Sequence, residues 1–125
     1  MKQKLAILGA GPIGLEAALA AHSRGYDVKI FERGEIADSI RQWGHIRMFS
    51  PFEMNVSVEG IALLRAGGVD LPNGEEQLTG AEFADRYLAP LAAHLGAPIQ
   101  LHTEVMAIAR DTTRKNERIG DPERA

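Results

Sequence analysis

The sequence predicts an α/β fold, a parallel sheet with flanking helices. Three observations predict it. Residues 4–8 and 27–32 are short apolar runs of strand length, and a helical stretch lies between them. A glycine-rich turn at residues 9–14 leads from the first run into that helix. Further along, two more helical patterns and further strand-like runs continue the alternation of strand and helix.

Each element has a local cause. Residues 4–8 (KLAIL) are apolar and end at Gly9. Residues 12–24 read as a helix: Pro12 stands at its first position, where a missing N–H costs nothing, and Gly25 suits a left-handed cap. Residues 27–32 (DVKIFE) place Val28 and Ile30 on one face and Phe31 on the other. Residues 34–58 are irregular and hold the only tryptophan, Trp43. Residues 59–66 read as a short helix closed by Gly67 and Gly68. Residues 79–95 read as a longer one, with Thr79 and Glu82 at capping-box spacing and Ala84, Leu88, Leu91 and Leu95 at helical spacing. Pro90 is expected to kink it. Residues 99–101 and 105–109 are strand-like. From 111 to 125 charges of both signs mix with Gly120 and Pro122, which predicts a disordered tail. The expected division is therefore 1–110 as part of one α/β domain and 111–125 as tail.

Composition excludes several function classes. A net charge of −3 gives no basic field for nucleic acid. No window approaches the ~18 apolar residues of a membrane span. The first apolar run is too short for a signal peptide, so a cytoplasmic protein is expected. With 0 cysteines, the chain has no disulfide, thiolate metal site or dithiol pair. His22, His45, His94 and His102 are widely separated, so no metal site is expected.

The chemistry sits in the turn. Gly9-Ala10-Gly11-Pro12-Ile13-Gly14 is a GxGxxG match between strand and helix, the context that motif requires. The first glycine permits the tight turn, the second lets backbone approach a pyrophosphate, and the third lets helix and strand pack closely. The helix start offers free N–H groups and partial positive charge to phosphates. Glu32 ends the second strand 18 residues after Gly14, where a carboxylate accepts hydrogen bonds from ribose hydroxyls. It would also repel a 2′-phosphate, with Arg33 as a small counterweight. These residues predict a Rossmann-like site for the ADP half of a dinucleotide. The fingerprint does not separate FAD from NAD.

A resemblance bears on that choice. The stretch GAGPIGLEAALAAHSRGYDVKIFERG resembles the opening of two-dinucleotide-domain flavoproteins, in which FAD takes the first site. Residues 87–111 (YLAPLAAHLGAPIQLHTEVMAIARD) are similar to their next parallel strand, and the resemblance implies a backbone contact from Val105 to adenine. Residues 43–57 (WGHIRMFSPFEMNVS) resemble a subgroup related to flavin-containing monooxygenases, which implies a place near the flavin for Trp43. The implied activity of the complete enzyme is NAD(P)H-driven flavin reduction, followed by electron transfer or oxygenation of a small molecule.

The family pattern continues with more strands, a second nucleotide domain and a late Gly-Asp motif. Gly120-Asp121 follows a polar run and reads as coincidence. The chain is thus expected to be an incomplete FAD-binding Rossmann portion, inactive alone and weak in FAD retention. In strand order 3-2-1 its first strand is left at an open edge, suited to a second copy or to the family's remaining strands. Two alternatives stay open: a NAD-dependent dehydrogenase domain, and a non-catalytic fragment that binds a nucleotide or a partner.

Elsewhere the expectations are structural. Arg41 and Arg47 are expected at the surface, with phosphate or carboxylate contact as the alternative. Met48, Phe49, Phe52 and Met54 are expected in the core, with lining of the flavin or substrate as the alternative, and Tyr87 as amphipathic packing. No residue reads as a general base or nucleophile, as expected where a cofactor performs the redox chemistry.

Overall fold

The computed structural model describes residues 2–110; the expected tail at 111–125 lies outside them. Strand β1 (Lys4–Leu8) leads into helix α1 (Pro12–Ser23), which returns the chain to β2 (Asp27–Phe31). A short helix α2 (Asp38–Arg41) and a 3₁₀ turn (Phe52–Met54) precede α3 (Val58–Ala66). The last helical stretch comprises α4 (Gly80–Phe83), a π-helical segment (Ala84–Leu88) and α5 (Ala89–His94), before β3 (Ile99–Gln100). The three strands are parallel in the order β1-β2-β3. β1 is thus an edge strand among the described residues, as the three-strand order 3-2-1 requires.

The helices cover one face of this sheet. Leu15, Ala18 and Leu19 of α1 pack with Val28 and Ile30 of β2, with Leu64 of α3, and with Phe83, Tyr87, Leu88 and Leu91. All are buried. Burial of each large apolar side chain stabilises by about 1.5–3 kcal/mol. Phe83 and Tyr87 stack at 5.4 Å between centroids, and Phe52 meets Tyr87 edge-on at 5.7 Å. The other face is open: Leu8 is 50% exposed, and Lys29 lies over the Phe31 ring. No helix among the described residues is long and apolar enough to cross a membrane.

Three local expectations are corrected. Residues 105–109 form no strand; they lie beside Ala6, Leu8 and Phe31 without joining the sheet. A strand exists only by pairing its backbone groups, and β1 and β2 are not joined by these residues. The helix over 79–95 is not uniformly α: it widens to a π segment just before Pro90, which lacks the N–H an α turn would use. Thr79 does cap it, its hydroxyl accepting the Glu82 N–H at 3.1 Å. The apolar cluster also divides. Met48 is half-buried and Phe49 93% exposed, and the 3₁₀ turn presents its own residues in different directions, with Phe52 buried and Met54 73% exposed.

Candidate dinucleotide site

The site is assembled where β1 meets α1. The Gly9 N–H donates to the Phe31 carbonyl at 2.8 Å, and Gly9 takes φ +107°, which a side chain would strain. At Gly14 any Cβ would collide with the Gly9 carbonyl, so helix and turn are in direct contact there. Gly11 is different: a Cβ there would meet nothing within 4 Å. Gly11 is the N-cap of α1 and no side chain caps the helix, so first-turn N–H groups remain available.

Glu32 is fastened over this turn. Its Oε1 accepts the Ala10 N–H at 3.0 Å, and its Oε2 accepts the Gly34 N–H at 2.6 Å. Each carboxylate oxygen has two lone pairs, so both retain capacity for an incoming hydroxyl. Gly9, Gly11, Glu32, Arg33 and Val105 line one cleft of about 460 Å³. Ala10 is buried and contributes its backbone, and Gly14 is committed to packing.

Trp43 stands elsewhere. With Pro12 and Ile13 it lines a neighbouring cavity of about 520 Å³, together with Met48 and Met54. The glycine turn therefore separates two recesses, one beside Glu32 and one beside Trp43. The fingerprint residues divide between them.

Sequence reasoning missed Asp38, Ser39, Gln42 and Thr103, which also line the Glu32 cleft. Asp38 Oδ2 accepts the Glu35 N–H at 2.8 Å, closing the turn that precedes α2. Ala37 is buried with φ +63°, and its N–H donates to the Ala10 carbonyl at 3.0 Å. An alanine gives no hint of a left-handed position. Asp38 is the acidic residue in the first turn of α2, where a negative charge suits the helix dipole. Arg41 and Arg47 line neither recess. Arg41 pairs with Asp85 at 2.6 Å, and Arg47 reaches the Gln77 carbonyl at 2.9 Å, so both tie the irregular segment to the rest of the fold. His102 pairs with Glu35 at 2.8 Å on the surface.

One network reaches into α1. The Tyr87 hydroxyl donates to Glu16 Oε1, and the Ser57 N–H approaches the same oxygen at 3.4 Å. Burial, and then the Glu16 carboxylate, hold the Tyr87 phenol well above its ordinary value of 10.0. Tyr87 thus remains a donor.

The family model described as pyridine nucleotide-disulphide oxidoreductase matches residues 6–118. The chain belongs to this family. The family is one of flavin-dependent oxidoreductases, and the matched stretch contains the whole glycine turn and Glu32. The family's name includes disulphide chemistry, yet these 125 residues hold 0 cysteines. Kynurenine 3-monooxygenase of Emericella nidulans is 43% identical over 70 residues, 54% of this chain and 13% of that protein. The Neurospora crassa enzyme of the same name is 55% identical over 38 residues, 30% of this chain and 7% of that protein. Among solved structures, a flavoprotein/dehydrogenase from Cytophaga hutchinsonii has a TM-score of 0.58 at 21% identity, over 88% of this chain and 32% of that one. Bacillithiol disulfide reductase from Staphylococcus aureus has a TM-score of 0.57 at 24% identity, over 83% and 30%. The chain thus spans about a third of these solved chains, which share its fold, and a smaller part of these curated relatives.

Proposed function

We propose that this chain binds the ADP moiety of FAD in the cleft between Glu32 and the start of α1. One observation carries the reading: the Glu32 carboxylate is held by the Ala10 and Gly34 N–H groups beside an uncapped helix start. The donor set fits the group. Uncapped N–H groups suit a diphosphate, Gly11 leaves room for it, and Glu32 has lone pairs for ribose hydroxyls. Val105 lines the same cleft and suits the adenine end. Arg33 at its rim offers a positive charge to the anionic ligand. Trp43 lies past Pro12 and Ile13, where the ring at the far end of a dinucleotide crossing the turn would arrive.

When bound, the flavin supplies hydride and electron chemistry, with NAD(P)H as co-substrate of the complete enzyme and a small molecule as the substrate. The protein's residues here bind and orient; none is assigned a proton transfer. Residues 1–110 are read as the N-terminal part of the FAD-binding domain. The open edge of β1, with Leu5 38% exposed, supports pairing with a further strand, from the remainder of the family fold or from a second copy.

The test is parallel titration of wild type, Glu32→Gln and Glu32→Ala with FAD, NAD, NADP and ADP-ribose. FAD is expected to bind best, NADP worse than NAD, and both variants to weaken every ADP-containing ligand by about tenfold or more. Because Glu32 also holds two backbone N–H groups, melting curves of both variants accompany the titration. Folded variants that bind as wild type does would remove Glu32 from the site.

A further inference from the structure

The recess beside Trp43 has an asymmetry of charge. Its wall is apolar at Ile13, Trp43, Met48 and Met54, and among the described residues Glu16 is the only ionisable side chain that lines it. Glu16 Oε1 accepts from Tyr87 and Ser57; Oε2 has no partner among the described residues. No buried side-chain oxygen there lacks a partner, so Oε2 is accessible from outside. Arg41 and Arg47 are engaged elsewhere, Arg41 by Asp85 and Arg47 by Gln77 and Glu82. Tyr87 fixes Glu16 without neutralising it, because a phenol that keeps its proton shares it in a hydrogen bond and does not transfer it.

We propose that Glu16 makes this recess select a planar ring that is cationic or presents N–H donors, and reject an anionic ring. The recess is open, with Ile13, Trp43 and Met54 84%, 47% and 73% exposed, so the carboxylate attracts a cation and repels an anion through partly screening water. The indole face of Trp43 acts in the same direction on a cation. The ring belongs either to a dinucleotide bound across the turn, in which case the selection rests on the reading given above, or to a separate small molecule. Both present the same chemistry.

Trp43 is the chain's only tryptophan, so its fluorescence reports on this recess alone. Benzamidine, benzamide and benzoate share a ring and differ in charge. Titrated into the full chain, benzamidine is expected to bind about tenfold or more tighter than benzoate, with benzamide between. Glu16→Gln keeps an oxygen for Tyr87 and should bring the benzamidine–benzoate ratio to within about twofold. Met54→Lys, at an exposed position on the wall, should narrow the ratio without touching the core. Benzoate binding as tightly as benzamidine, a ratio unmoved by both variants, or no probe altering the emission would overturn the proposal. Repeating the benzamidine titration with ADP-ribose and with FAD separates the two sources. Exclusion by FAD alone identifies the dinucleotide's own ring; binding in the presence of both identifies a separate molecule. Calorimetry of ADP-ribose tests the Glu32 cleft separately, so selective ring binding with no ADP-ribose binding would refute that reading and leave this one standing.

Discussion

The two faces of the sheet differ in kind. Toward the helices, Leu15, Ile30, Leu64, Tyr87, Leu88 and Leu91 are 0% exposed and form one core. On the opposite side and along the β1 edge, Leu8, Val105 and Ile108 are 50%, 40% and 82% exposed. The same apolar chemistry is buried on one face and exposed on the other. The stability of this chain resides in the helical layer, while its candidate binding surfaces lie at the ends and edge of the sheet.

Substitutions can break or sharpen that contrast. The largest effect is expected on the helical side: Leu91→Ala should destabilise by about 2–5 kcal/mol, read by urea or thermal unfolding. Leu8→Ser on the open face should change stability by less than about 0.5 kcal/mol while reducing self-association in light scattering. An equal loss at both positions would abolish the distinction.

Gly14→Ala should cost about 1–3 kcal/mol, because its methyl group meets the Gly9 carbonyl. Tyr87→Phe should cost about 1–2 kcal/mol through the lost bond to Glu16. It carries a pH signature as well. The folded phenol ionises above 10.0, the value of an unconstrained tyrosine. Its contribution is whole below that value and is lost as pH rises above it, because the unfolded chain then releases a proton that the folded chain retains. Wild type should therefore lose stability above that pH more steeply than Tyr87→Phe; parallel alkaline melts would contradict the buried hydroxyl. A smaller effect than these two is expected at Ala37, where φ is +63°. Ala37→Gly should stabilise by up to about 1 kcal/mol by relieving a left-handed alanine.

The sequence revealed what is local. Strand, glycine turn, helix and terminal acid lie within about 30 consecutive residues, the span of one βαβ unit, and each has a short-range cause. What depends on distant partners was hidden. Tyr87 and Glu16 meet across 71 positions, and Arg41 meets Asp85 across 44. Alternation at 105–109 resembles a strand, but pairing is a property of two segments, and the sequence shows only one. Trp43 was singled out by resemblance, and its separation from Glu32 by the glycine turn became visible only in three dimensions. The divided fates of Phe52 and Met54 arise from a single 3₁₀ turn that apolar composition does not encode.

The central claim is that a diphosphate lies against the glycine turn, and Gly11 isolates it. A Cβ there meets no protein atom within 4 Å, and Gly11 lines the cleft, so Gly11→Val should melt close to wild type. Isothermal titration of ADP-ribose into that variant is the most direct measurement. The account predicts a folded protein that has lost binding; a folded variant that binds ADP-ribose as wild type does would contradict it.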